Sequence, residues 1–433
     1  MKKTLLWLLA GLLIALLSLA IAWQVGLYRV DGMQIGTKAI VGAKLLDGSD
    51  GTMIEDATVL IRDGVIEGSG PRESVPIPEG TREIKGQGLT LLPGLIDAHI
   101  HLGGPVADGP EDWERLNIPA LIWSALRQAP QARRAFIEHG VTTVASLGDG
   151  DEWITGVRAA LDARRLEGPR LLAAGPLFTA PGGHPAGTIF AGLDRVAESG
   201  TRQLSDPDKA RQAVAEVDAL GVDFIKAVVD GGDIREEPIP RIEAAVLNAI
   251  VDEAHDRGLK VTAHWVTRKD LEIALDAGVD SLQHAGVERL DMDLVDRIVG
   301  SDTALVPTLS VADALMPEYK DAARANVRRV HEAGGRIIAG SDAASPGVGF
   351  GDGLLRELEL LVEAGLSPGQ AIQAATAHSA EHLEIDDQAG SIEAGMPADL
   401  LAVAGDPKED ISAIRNTVLV LREGRLLVDR SEE

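Results

Sequence analysis

The chain of 433 residues has no cysteine. That excludes disulfides, thiolate metal ligands, a cysteine nucleophile and lipoprotein-type acylation. Tyrosine is almost missing too. Only Tyr28 and Tyr319 occur, so no phenol is expected to help hold a substrate. Cations are few: 41 Lys and Arg against 67 Asp and Glu leave a formal charge of −26. Such a surface disfavours nucleic acid and anionic membranes as main partners. No G-x-G-x-x-G follows the first strand candidate of the central segment and no G-K-[ST] ends a glycine-rich loop, so no dinucleotide or phosphate loop is indicated. No internal repeat and no low-complexity tract is present.

The N-terminus carries the one long apolar run. Lys2 and Lys3 precede "TLLWLLAGLLIALLSLAIAW", which has no charge. Roughly 20 apolar residues can span a bilayer, and Ala20-Ile21-Ala22 fits a small-x-small cleavage site. Residues 1–30 therefore read as a signal peptide or an uncleaved membrane anchor. Either way the lysines stay cytoplasmic. The globular part is expected to be exported, periplasmic or otherwise extracytoplasmic, with or without an inner-membrane tether. A reporter fused after residue 433 should be active outside the cytoplasm. Activity confined to the cytoplasm would overturn that expectation.

Residues 34–92 hold short β-rich runs broken by Gly, Asp and Pro, among them "KAIVGAKLLDG" and "ATVLIRDGVIEGSG". The same texture returns in 388–433, as in "NTVLVLREGRLLV". One small sheet domain built from both ends is expected. In 93–387 eight apolar runs, at 95–102, 141–148, 170–178, 223–229, 260–266, 280–285, 304–310 and 336–342, alternate with helical stretches such as "PDKARQAVAEVDALG" and "RIEAAVLNAIVDEAHDRG". That alternation implies parallel strands with crossover helices, and eight of them point to a closed α/β barrel. An open doubly wound sheet is the rival.

"LIDAHIHL", residues 95–102, places His99 and His101 two apart in an apolar run. On a strand both face one side, roughly 6–7 Å apart. In a barrel that side is the interior, near the end where loops build active sites. Other strand candidates repeat the pattern. Lys226 lies in "FIKAVVDGG", His264 in "KVTAHWV", His284 in "SLQHAG" and Asp342 in "RIIAGSDAA". Imidazole and carboxylate ligands suit zinc and similar divalent ions, and four His, one Asp and a Lys exceed the ligands of one tetrahedral ion and suit two.

These residues resemble the amidohydrolase superfamily, which has H-x-H on strand one, a carboxylated Lys on strand four, His on strands five and six, and Asp on strand eight. "LLPGLIDAHIHL" and "AIQAATAHSAEHLEIDDQAGSIEAGMPADLLAV" are similar to its opening and closing signatures, and the likeness covers about residues 36–425. "PGGHPAG", with His184, resembles the prolidase and imidazolonepropionase-like branch. The resemblance implies a (β/α)8 TIM-like barrel with a small β-sandwich built from both termini. It implies that His99 and His101 bind a first divalent metal, zinc above all, and His264 and His284 a second. Carboxylated Lys226 would bridge them, and Asp342 would ligate the first metal and move the proton. The implied reaction is hydrolysis of an amide or peptide-like C–N bond, of the Xaa-Pro dipeptide or N-acyl amino acid type. A deaminase or lactonase of the same superfamily is the alternative reaction, and a non-catalytic scaffold relative the alternative class. Thr267 stands where a Glu would be expected in typical deaminases of the group.

Further residues carry weaker signals. His184 and Arg235 are candidate substrate contacts on loops at the active-site end. "HSAEH", His378 to His382, fits the H-x-x-E-H pattern of a different metallopeptidase group, against the reading of a surface helix after the barrel. His139, His255 and His331 read as structural residues near helix ends. A small-molecule substrate is the expected partner, the membrane is met only through the N-terminal segment, and a homo-oligomer is compatible with the sequence.

Overall fold

The computed structural model describes residues 11–12, 16, 36–48, 51–103 and 130–431. Almost all of the proposed signal or anchor lies outside them. Among the described residues no helix is long and apolar enough to cross a membrane.

The chain opens with β1 (Lys38–Leu46), β2 (Met53–Arg62), β3 (Val65–Pro71), β4 (Arg82–Lys85) and β5 (Leu89–Pro93). It then enters the central segment through β6 (Leu95–Ile100), β7 (Val141–Ser146), β8 (Arg170–Ala173), β9 (Leu177–Thr179), β10 (Thr201–Gln203), β11 (Phe224–Val229), β12 (Lys260–Trp265), β13 (Ser281–Gln283) and β14 (Ala304–Val306). It ends with β15 (Leu400–Ala404), β16 (Thr417–Arg422) and β17 (Arg425–Asp429).

The first and last groups form one sheet, in the order β17-β16-β15-β5-β1-β2-β3 with β4 beside β1. Two tight turns cap it, Asp63-Gly64 and Glu423-Gly424, with positive φ at all four residues, as hairpins of matching twist require. The sheet curls until these turns touch. A Cβ on Gly424 would lie 2.6 Å from the Gly64 Cα, so glycine alone lets them approach. The enclosed core mixes residues from both chain ends, including Ile40, Val59, Leu400 and Leu419.

In the central segment β6, β7 and β8 pair in parallel, as do β9, β11, β12, β13 and β14. Asp223 N donates to Ala173 O across the join. The segment 336–343 completes the ring by single bonds, not by a ladder. Ile338 N donates to Leu305 O, Ala98 N to Ala339 O and His101 N to Ala343 O. Two expected strands differ in detail. The third is split into β8 and β9 around Gly175, which has positive φ. The seventh stops at Val306, because Thr308 turns left-handed and starts the helix Leu309–Leu315.

The crossover helices follow their sequence signals. In Pro207–Asp218 the Asp206 carboxylate caps the N–H groups of Asp208 and Lys209, with Pro207 at the first position. Ala210, Ala213, Val214 and Val217 then bury one stripe. Burying each valine contributes about 1.5–3 kcal/mol. Such helices leave the strand ends as the open face of the ring.

Candidate active site and metal centre

Asp97, which stands two residues before His99, explains how strand one is aimed. It is fully buried, and its Oδ1 accepts from Ser341 N at 2.9 Å and His99 N at 3.3 Å, its Oδ2 from Ser341 Oγ at 2.6 Å. Asp342 N returns a bond to His99 O at 2.6 Å. Asp97 therefore stitches strand one to the 336–343 segment and sets His99 against Asp342. Burial pushes its carboxyl up to about 7, with the Ser341 and His99 donors opposing. Asp149 does the same for the chain beyond His101: it accepts from Leu102 N at 3.1 Å, Gly103 N at 2.9 Å and the Ser146 hydroxyl. Neither acid was singled out as a site residue in the sequence. Asp97 had a visible signal, a charge inside an apolar run; Asp149 had none beyond following a strand.

His99 Nε2 and His101 Nε2 lie 3.4 and 3.2 Å from Asp342 Oδ1. Ligand atoms of these three residues fall within 4.8 Å of one another. His101 Nδ1 is 3.2 Å from Gly148 O. With a proton on Nδ1, that contact leaves Nε2 free to act as a ligand. His264 and His284 form the neighbouring pair, with His284 Nε2 2.8 Å from His264 Nδ1, and the His99 and His284 rings are 5.3 Å apart. Lys226 sits one register step deeper, opposite Thr262, while Val228 faces His264. All six residues line one cleft, although only His99, His101 and Asp342 make the compact triad.

The electrostatics follow from burial. It drives the imidazoles of His99 and His264 well below their usual range and His284 down to about 3, so these rings are neutral at ordinary pH. Burial also opposes charge on His101, but the Asp342 carboxylate outweighs it and raises that ring. Desolvation pushes Asp342 up, and the surrounding histidines outweigh it and hold the carboxyl below the usual carboxylate range. The Lys226 amine is drawn down to about 7 by burial, against the pull of Asp342.

Three buried polar atoms here have no hydrogen-bond partner, His99 Nδ1, Lys226 Nζ and His264 Nε2, and Asp342 Oδ1 meets only the two imidazoles already described. Buried polar groups are nearly always satisfied, and three orphans on β6, β11 and β12, gathered with the Asp342 carboxylate in one cleft, fit a bound metal centre. His99, His101 and Asp342 would hold one ion, with His264, His284 and a modified Lys226 beside it.

Of the weaker candidates, His184 joins the cleft. Its ring stacks on His264 at 5.2 Å, its Nδ1 is 2.8 Å from Thr188 Oγ1, and burial takes it down to about 3. Arg235 lines the same cleft with a side chain 45% exposed, 4.0 Å from Asp230. Tyr319 corrects the expectation of no phenol: it also lines the cleft. The cleft is about 1220 Å³, and Trp153, Phe190, Val287, Leu315 and Met316 make much of its wall apolar.

The H-x-x-E-H histidines lie elsewhere. His382 O accepts from Lys260 Nζ at 2.8 Å, and Lys260 begins β12, the strand end opposite His264. His382 is buried rather than on the surface. Thr267 caps the helix Arg268–Ala277 through Asp270, which accounts for it without a catalytic role. His139 and His255 are tied to Ala135 O and the Asp280 carboxylate, and His331 stands in the last turn of Lys320–Glu332.

The solved structure of a Xaa-Pro dipeptidase with bound methionine in its active site superposes with a TM-score of 0.76 at 28% identity, covering 90% of this chain and 99% of that one. Ochratoxinase of Aspergillus niger is 25% identical over 424 residues, 87% of this chain and 83% of that protein. Imidazolonepropionase of Haloarcula marismortui is 24% identical over 413 residues, 87% and 90% respectively. Residues 90–427 match the amidohydrolase family. That span begins in β5, runs through the whole ring and returns into the terminal sheet, and the chain belongs to the amidohydrolase family.

Proposed function

We propose that this protein is a metal-dependent hydrolase of an amide or peptide-like C–N bond, with N-acyl amino acids and Xaa-Pro dipeptides as its substrate class. The observation that carries this reading is the set of three orphaned polar atoms, His99 Nδ1, Lys226 Nζ and His264 Nε2, that share the cleft with Asp342. His99, His101 and Asp342 would hold one divalent ion and His264 and His284 another. Zinc is the ion that imidazole and carboxylate donors suit best. Lys226 would lie between them as its carbamate. Near pH 7 a large share of the Lys226 amine is neutral. It can attack carbon dioxide, forming an N–C bond and releasing one proton. When bound, such ions polarise a carbonyl and lower the pKa of water.

The chain's own groups do the rest. Asp342 is ionised, as a general base must be. It takes a proton as water's oxygen adds to the carbonyl carbon, and gives that proton to the nitrogen as the C–N bond breaks. His184 is neutral, and with its Nδ1 engaged by Thr188 it presents Nε2 to the substrate as an acceptor. Arg235 faces the cleft from the loop after β11 and suits a substrate carboxylate. The apolar walls receive the acyl or side-chain body.

The test is metal analysis of the purified protein beside a screen of Xaa-Pro and N-acyl amino acid substrates. Release of a free amino acid, stopped by a chelator and restored by zinc, is expected. Turnover that persists in chelator, or a metal-free protein inert toward every substrate, would overturn the reading.

A further inference from the structure

The reaction above leaves one buried acid unused. Glu357 is fully buried on the helix Asp352–Glu363, which follows the 336–343 segment on the outside of the ring. Its Oε1 accepts from Leu309 N at 2.9 Å, and its Oε2 from Ser310 N and Ser310 Oγ, both at 2.7 Å. All three donors belong to the two residues that follow Thr308. Thr308 itself has φ +45° and ψ +49°. That is the left-handed region, unfavourable for a β-branched residue and held only where the surroundings over-determine it. The Glu357 clamp supplies that constraint.

The strained geometry has a readable product. It places Thr308 Oγ1 2.7 Å from His284 Nδ1. On the other side of the same ring, Nε2 faces His264. An imidazole can offer a lone pair at Nε2 only if its proton is on Nδ1, and a proton there needs an acceptor. The threonine hydroxyl, on a side chain that is itself buried, is the acceptor within reach. We infer that Thr308 is a positioning residue that sets the tautomer and angle of His284. Glu357, on the outer helix, holds Thr308 in the backbone conformation where it can do so. This rests on His284 being a ligand of the proposed centre.

The experiment is chelator-competition measurement of zinc affinity for the wild type and the variants His284→Ala, Thr308→Val, Thr308→Ser and Glu357→Gln. Loss of a partner that orients a ligand weakens metal binding about 10–100-fold. Thr308→Val keeps the shape and removes the hydroxyl, so it should weaken one ion by that factor. Thr308→Ser should restore near wild-type affinity. Glu357→Gln puts an amide donor against N–H donors and should weaken the same ion; if it fails to fold, the Val and Ser pair decides alone. Wild-type zinc affinity in Thr308→Val, with one ion lost in His284→Ala, would overturn the inference and leave the proposed centre standing. No loss in His284→Ala would overturn both.

Discussion

Lys226→Ala is expected to lose most of one metal ion and nearly all turnover. The effect should exceed the ~10–100-fold typical when only a ligand's orienting partner is lost. An unmodified lysine is a poor neighbour for four imidazoles and a metal, since desolvation and like charge both oppose its cation. The structure shows the amine buried, without a partner, and pulled down to about 7. Carboxylated, Lys226 would instead offer an anionic ligand to the proposed centre, in place of a cation that burial and the neighbouring imidazoles disfavour. Acetate or propionate added to Lys226→Ala should restore part of both metal and activity by filling the space. Density or NMR is the better probe of the modification, because acid releases it before mass analysis. If Lys226→Ala kept two tight ions and full turnover with no added acid, the bridging role would be wrong.

Asp342→Asn is expected to lower kcat by about 10² or more, the scale of positioned acid–base catalysis. The amide keeps the size of the carboxylate but cannot take the proton of water and return it to nitrogen. The fold should survive, because Asp342 N still donates to His99 O and the Asp97–Ser341 bonds do not involve the Asp342 side chain. Steady-state kinetics of the folded variant at saturating zinc separates lost chemistry from lost metal. Near-normal kcat would remove Asp342 from the proton path.

Much of this was legible in the sequence because strands impose a period of two. His99 and His101 announce a shared face by spacing alone, and Lys226 stands out as a cation inside an apolar strand. Helices such as Pro207–Asp218, with Asp206 before it, carry their cap, their proline and their apolar stripe in one short stretch. What stayed hidden depends on partners far along the chain. Thr308 looks like an ordinary threonine until Glu357, some fifty residues later, is seen to clamp its neighbours. Tyr319 lies after the seventh strand, in a stretch with no periodic signal, and only the packing of the loops brings it to the cleft. The eighth strand was expected as a ladder; the 336–343 segment makes single bonds instead, and left-handed backbone at Asp342 and Ala344 turns the chain at its end.

The curled terminal sheet sets an order of events in synthesis. Lys38 Nζ bonds Gly424 O across 386 residues, and Thr90 Oγ1 bonds Gly405 O across 315. Contacts of such sequence separation form late, since loop closure must precede them. As the chain emerges, the ring's strands can all be present before β15 exists, while β1 to β5 wait as an incomplete sheet with an unpaired edge at β5. Exposed edges of that kind pair with other chains. The segment from β15 onward therefore acts as a latch that removes a sticky intermediate, and nascent chains stopped short of β15 are the species a chaperone would meet.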